Sequence, residues 1–172
     1  NKKLEVNLNN SFDKYFPYKV QREQQTYAIQ KVIESFMDDN KRFVILEAGT
    51  GVGKSAIGLT VARYINRNLV TDPDDNVGGG SYFLTTQKIL QEQYEKDFGG
   101  HNGDMCSLYS ASNYKCGFHK KSDCKSSQQL LRTEQKGSAF FKHCMTSCAY
   151  KMKKKSFLES PESITNFPYF IT

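Results

Sequence analysis

Ala48-Gly49-Thr50-Gly51-Val52-Gly53-Lys54-Ser55 is the stretch on which the reading of this chain turns. It follows a short continuous apolar run, Phe43-Val44-Ile45-Leu46, of the kind that forms a buried parallel strand. It leads into a helical pattern near Lys54–Arg67, with Ile57, Val61, Tyr64 and Ile65 on one face. Strand, glycine turn and helix in that order make a phosphate-binding loop. Small residues let successive backbone N–H groups curl around phosphates, and the helix N-terminus adds its partial positive charge. In such a loop Lys54 reaches the β- and γ-phosphates and the Ser55 hydroxyl ligates Mg²⁺. Residues 48–55 are therefore the expected nucleotide site, with Lys54 and Ser55 its candidate catalytic groups.

Outward from the loop, the pattern alternates. Residues 1–20 are a polar lead-in carrying Phe12, Tyr15, Phe16 and Tyr18, with Pro17 favouring an extended approach. A helix follows, with positions 28, 32, 33, 36 and 37 as its apolar face, ended by Asp38-Asp39-Asn40. After the loop and its helix, residues 68–81 read as a surface loop. Tyr82–Thr85 is a second strand and Gln87–Phe98 a third helix, with Ile89, Leu90, Gln93 and Tyr94 clustered. Gly99, Gly100 and Gly103 break that helix, and Cys106–Tyr109 is another short strand. Strand–helix alternation predicts an α/β fold with a parallel sheet. ATP hydrolysis on such a loop needs an acid that holds Mg²⁺ and polarises water. The apolar-Asp-Asp run Phe36-Met37-Asp38-Asp39 ends a helix ahead of the loop, so it reads as a solvated helix end. The chain is expected to stop before the catalytic acid.

The 172 residues carry 24 basic and 18 acidic side chains, a net charge of +6. The excess is local. Between Lys115 and Lys155 eleven Lys and Arg face only Asp123 and Glu134, giving that segment +9 and leaving −3 for the rest. A basic appendage on a mildly acidic body implies a polyanion partner, the alternative being a solvated lysine surface. All five cysteines (Cys106, Cys116, Cys124, Cys144, Cys148) lie in the same region. An odd count with no secretory signal argues against a disulfide scaffold and for a reducing compartment, with four thiols holding a metal or cluster. The spacing Cys116-x7-Cys124-x19-Cys144-x3-Cys148 lacks the paired C-x2-C knuckles that zinc modules favour and leaves zinc and iron–sulfur open. His119 and His143 read as surface histidines, and Cys106 as a small buried residue outside the ligand set. No run of 18 apolar residues is present.

The ordered motifs resemble the XPD/DinG family of superfamily 2 DNA helicases, which carry a 4Fe–4S domain inserted in the first motor domain. Arg22-Glu23-Gln24-Gln25 looks like that family's R-x-x-Q adenine motif, and Glu47 to Ser55 matches its E-A-G-T-G-x-G-K-S loop. Leu84-Thr85-Thr86-Gln87 resembles motif Ia, which touches single-stranded DNA. Ser112-Asn113-Tyr114-Lys115-Cys116 resembles G-R-x-N-Y-x-C at the first cluster ligand, and Cys148-Ala149-Tyr150 resembles C-P-Y at the last. Ile164 to Phe170 is similar to the strand before the DEAH box. Ala111-Ser112 and Ala149 depart from the pattern.

The resemblance implies an ATP-dependent helicase moving 5′ to 3′ on single-stranded or forked DNA, of which this chain is the N-terminal portion, inactive alone. It implies a RecA-like domain over 1–104, an iron–sulfur insertion over 105–162 and a return strand over 163–172. ATP and Mg²⁺ would sit on Arg22, Gln25 and 48–55, and the cluster on Cys116, Cys124, Cys144 and Cys148. Thr85, Thr86, Lys151, Lys153 and Lys154 would contact DNA, while Tyr114, Phe118 or Tyr150 would stack on bases or pack beside the cluster. The location would be cytoplasm or nucleoid, and 19 Lys against 5 Arg points to an AT-rich bacterial or viral genome. Two rival expectations are a zinc-stabilised nucleic-acid-binding module and a P-loop ATPase that does not act on DNA.

Overall fold

A computed structural model describes residues 11–38, 40–68, 80–99 and 105–171. The expected surface loop over 68–81 lies largely outside them, as do Asp39, Gly100 and Gly103. The chain divides into two compact units, 1–79 and 80–172.

In the first unit, helix α1 (Glu23–Phe36) packs on helix α2 (Lys54–Asn68). Their joint core is Phe12, Ile29, Ile33, Ile57, Val61 and Tyr64. Ile57, Val61 and Tyr64 are the face expected of α2. On α1 the buried line runs through Gln25, Ile29 and Ile33, while Phe36 is 44% exposed. Ala28, Val32 and Met37 of the expected face pack against this core while partly buried. Asn68 ties the far end of α2 to the lead-in, donating from Nδ2 to the Tyr15 hydroxyl at 3.2 Å. Asp38 accepts from the Asn40 N–H and pairs with Lys41, consistent with its reading as a solvated helix end.

The run Phe43–Leu46 differs from expectation. It carries no ladder among the described residues, and Phe43 and Ile45 are 89% and 93% exposed. An apolar run becomes a strand only when a neighbouring strand pairs with its backbone, and no described strand lies in this unit.

The second unit is built on a three-stranded parallel sheet, β1 (Ser81–Thr85), β2 (Met105–Ser107) and β3 (Glu162–Asn166), in spatial order β1-β3-β2. The last strand is therefore the middle one. Ser81 through Thr85 pair with Glu162 through Asn166, and Met105 through Ser107 pair with Glu162 through Ile164. Glu162 to Thr165 are buried on both faces, as a central parallel strand requires. Helix α3 (Lys88–Phe98) connects β1 to β2. It is held by Gln91, fully buried, whose amide donates to the Ser107 hydroxyl at 2.8 Å and the Leu108 carbonyl at 2.9 Å. That anchor turns the expected contact residue Ile89 outward, to 68% exposure. Between β2 and β3 lie three helices, α4 (Cys124–Leu131), α5 (Ala139–Thr146) and α6 (Ala149–Glu159). After β3, Phe167–Phe170 form a short helix, α7, capped by the Asn166 side chain and not a continuation of the strand. Pro168 cannot donate to a ladder, which is why the strand stops there.

Ile164 has no exposed surface and sits at the centre of the sheet. Ile164→Ala should destabilise the protein by about 2–5 kcal/mol, read as a lower urea midpoint at unchanged m-value.

Candidate functional site

The glycine loop takes the form its sequence demands. Gly51 and Gly53 have φ of +82° and +86°, a region open to glycine and strained for other residues. Lys54 is the first residue of α2, so the loop ends on a helix N-terminus whose free N–H groups face an incoming anion. The Lys54 ammonium folds back over the loop and donates to the Ala48 and Gly49 carbonyls at 2.9 and 3.0 Å. These are exposed, neutral acceptors, and a phosphate oxygen would displace them through charge. Ser55 follows on the same turn.

Arg22 and Gln25 lie against the loop. Arg22 donates to the Gly51 carbonyl at 3.2 Å, and the Gln25 Nε2 donates to the Val52 carbonyl at 2.8 Å. The Gln25 Oε1 accepts from the Arg22 backbone N–H at 2.9 Å. The expected adenine-reading side chains thus also brace the phosphate loop. A Cβ on Gly53 would stand 2.6 Å from Gln25 Nε2, so only glycine lets the two approach.

In the second unit the structure brings the four predicted cysteines into one region. A closed loop sets the first two. Lys115 and Asp123 form an isolated antiparallel bridge, the Cys116 N–H donates to the Ser122 carbonyl at 2.9 Å, and the Cys124 N–H donates to the Tyr114 carbonyl at 2.8 Å. Asp123 caps α4, placing Cys124 at the first helical position, and Cys148 is the N-cap of α6. Both thiols therefore sit at positive helix ends. Cys124 and Cys148 have their sulfurs 3.6 Å apart and share a core with Leu108, Tyr150 and Phe157. Cys116 and Cys144 share a second with Phe140. All four are buried and none is disulfide-bonded.

Burial pushes the Cys124 thiol up to about 12, reinforced by the neighbouring Cys148 thiol, so helix-end attraction loses to desolvation here. Burial also raises Cys144, helped by negative charge on Cys148 and Cys116. Cys116 is opposite. Burial opposes its ionisation, yet the adjacent Ser127 hydroxyl and the His119 and Phe118 N–H groups outweigh it and hold the thiol below its usual value. Ser127 is thus buried against Cys116, and the His119 Nε2 is buried without a hydrogen-bond partner. Among the described residues no three His, Cys, Asp or Glu side chains are gathered closely enough to hold a single ion.

The remaining predicted residues are scattered along this unit. Thr85 ends β1 and bonds the Gln87 carbonyl at 3.2 Å, while Thr86 is exposed. On α6, Lys153 lies 3.9 Å from Glu95, Lys151 reaches the Met145 sulfur at 3.5 Å, and Lys154 is exposed. Tyr150 is buried, and its hydroxyl bonds that of Tyr169; Tyr114 packs on it at 5.5 Å. Phe118 is 44% exposed. Cys106, on β2, is half-buried, where the sequence reading placed a small buried residue. Sequence reasoning missed Ser127 and Gln128, whose amide donates to the Cys124 sulfur at 3.4 Å. Their one signal was position, three and four residues after Cys124 on a helix.

Against known proteins, the family model described as type III restriction enzyme, res subunit (ResIII) matches residues 18–167. No curated protein and no solved structure matches the chain significantly. No described helix is long and apolar enough to cross a membrane.

Gly53→Ala should push Gln25 off the loop and weaken ATP binding at least tenfold by titration calorimetry, and unchanged affinity would contradict the bracing role. In the metal-free, reduced chain, alkylation near pH 8 should reach Cys116 before Cys124, since the thiolate is the nucleophile. Mass spectrometry of a labelling time course that finds Cys124 modified first would refute this order.

Proposed function

Because the chain belongs to the type III restriction enzyme, res subunit family, whose domain is a helicase-superfamily ATPase, we propose that it serves an ATP-dependent DNA helicase of the XPD/DinG kind. ATP·Mg²⁺ binds over residues 48–55. Lys54 neutralises phosphate charge, Ser55 ligates Mg²⁺, and Arg22 and Gln25 recognise adenine while bracing the loop. Residues 105–162 form the iron–sulfur insertion between motor segments 1–104 and 163–172. Cys116, Cys124, Cys144 and Cys148 hold a 4Fe–4S cluster, which supplies a rigid centre to a small domain with little apolar core of its own. Thr85, Thr86, Lys151, Lys153 and Lys154 follow the backbone of a single strand travelling 5′ to 3′.

The observation that carries the DNA reading is uncompensated charge. Of the eleven basic residues between 115 and 155, only Lys153 and Lys155 have a carboxylate ion-pair partner among the described residues. Lys120, Lys121 and Lys125 are exposed around the thiol loop. Such cations release counterions when they meet a polyphosphate backbone, which gives sequence-independent, salt-dependent affinity. Of the three aromatic residues considered for stacking, Phe118 is the most exposed, although its ring also packs on Phe140, since Tyr150 is buried and Tyr114 half-buried.

Fluorescence anisotropy with a labelled single-stranded oligonucleotide tests this. Reversing Lys120, Lys121 and Lys125 to Glu should lower affinity more than tenfold and flatten its salt dependence, and Phe118→Ala should remove about 1–3 kcal/mol. Absence of binding at low salt would favour an ATPase that does not act on DNA, and binding that ignores both changes would contradict this surface. Anaerobically isolated protein should contain iron and acid-labile sulfide in equal amounts; one zinc per chain without sulfide would favour the zinc-stabilised module.

A further inference from the structure

Phe118 sits within a segment whose backbone is closed. Lys115 bridges to Asp123, the Cys116 N–H donates to the Ser122 carbonyl at 2.9 Å, and the Ser122 N–H donates to the His119 carbonyl at 2.9 Å. The His119 N–H is held as well, by the Cys116 sulfur at 3.3 Å. Such a segment leaves free only the rotation of the side chain. An aromatic ring at a surface ordinarily turns among several rotamers, and fixing it on binding costs affinity.

Three other rings already fix this one. The Phe118 centroid lies 5.0 Å from His119, 5.2 Å from Phe140 and 6.0 Å from His143, edge-on to the first and tilted to the other two. His119 in turn stands edge-on to Phe140 at 4.4 Å, and Phe140, on α5, is buried with Cys116 and Cys144, so the group is anchored in a core. Rings at about 4.5–7 Å in these orientations attract through their quadrupoles. Phe118 nevertheless keeps 44% of its surface exposed, so part of the ring stays open to a ligand. The approach of His143 depends on Gly117. A Cβ at that position would stand 2.9 Å from His143 Cε1 and 3.0 Å from its Nε2, so a larger residue would turn the imidazole away.

We propose that Gly117 and His143 are positioning residues for nucleic-acid binding: the imidazole, admitted by the glycine and working with the buried Phe140, sets the Phe118 ring as a rigid plate on which one base of a single strand stacks. No charge on His143 is required, because its contribution is a flat ring at a fixed distance. Exposed Lys120 and Lys121 follow Phe118 in the chain and exposed Lys142 precedes His143, which supplies cations for the flanking phosphates. The proposal rests on the reading that this unit binds single-stranded DNA.

The test uses the full chain and a single strand containing a fluorescent adenine analogue whose emission falls when it stacks, with anisotropy for affinity and a urea midpoint for each variant. His143→Ala and Gly117→Ala should each lower affinity about two- to tenfold, the cost of immobilising one side chain, and weaken the quenching on binding. The slope of affinity against salt should stay at its wild-type value, since no phosphate contact is lost. His143→Phe should restore both affinity and quenching. Two double variants separate positioning from direct contact. Once Phe118→Ala is made, adding His143→Ala should cost nothing further, and once His143→Ala is made, adding Gly117→Ala should cost nothing further. If His143→Ala loses its fold, Gly117→Ala carries the same comparison with Phe118→Ala. Wild-type protein that does not bind the strand at low salt would overturn the DNA reading and the proposal with it. Binding by the wild type together with wild-type affinity in the folded single variants, or with a full loss that persists in the Phe118→Ala background, would overturn the proposal alone.

Discussion

The central place of β3 governs the second unit. A parallel strand cannot follow its neighbour through a tight turn, because the chain must cross back to the starting end of the sheet. β3 slots between β1 and β2 after both, so everything from Leu108 to Pro161 must leave the end of β2 and return to the start of the strand beside it. That excursion holds the four buried cysteines. Its two ends are tied to the sheet. Leu108 donates its N–H to the Ile164 carbonyl and accepts from Thr165 and Gln91, and Ser81 donates to the Pro161 carbonyl. The hydroxyl pair of Tyr150 and Tyr169 adds a third tie, from the first turn of α6 to the helix after β3. The thiols are thus mounted on a sheet, although their own segment has only two small cores.

In the first unit the equivalent constraint is the contact between Gln25 and the glycine loop. Two positive-φ glycines shape the loop, and Arg22 and Gln25, at the start of α1, hold two of its carbonyls in place. A phosphate site works by preorganised N–H groups, so bracing from a neighbouring helix bears on affinity even where the bracing side chain touches no ligand.

What the sequence made legible follows from how local each signal is. The glycine loop was readable because backbone conformation at Gly51 and Gly53 is written in residue type. Helices α2 and α3 and strand β1 were readable from periodicity. The buried face of α3 was not, because a polar residue, Gln91, anchors it through partners on β2 that no local pattern reveals. Phe43–Leu46 has the composition of a buried strand but not the neighbours, which only tertiary context supplies. Phe167–Phe170 reads as strand only through its resemblance to the strand before the DEAH box, yet Asn166 capping and Pro168 turn it helical. At the thiol site, the ligand candidates were plain from composition. Ser127 was invisible, since a serine on a helix becomes informative only when its hydroxyl is known to be buried beside sulfur.

The family membership and the loop geometry converge on one claim, that residues 48–55 bind ATP through Lys54. Calorimetric titration of the chain with ATP·Mg²⁺, beside Lys54→Ala, tests it most directly. The account predicts saturable binding at one nucleotide per chain in the wild type and at least a tenfold loss in the variant with the fold retained. Absence of binding, or binding indifferent to Lys54, would contradict it.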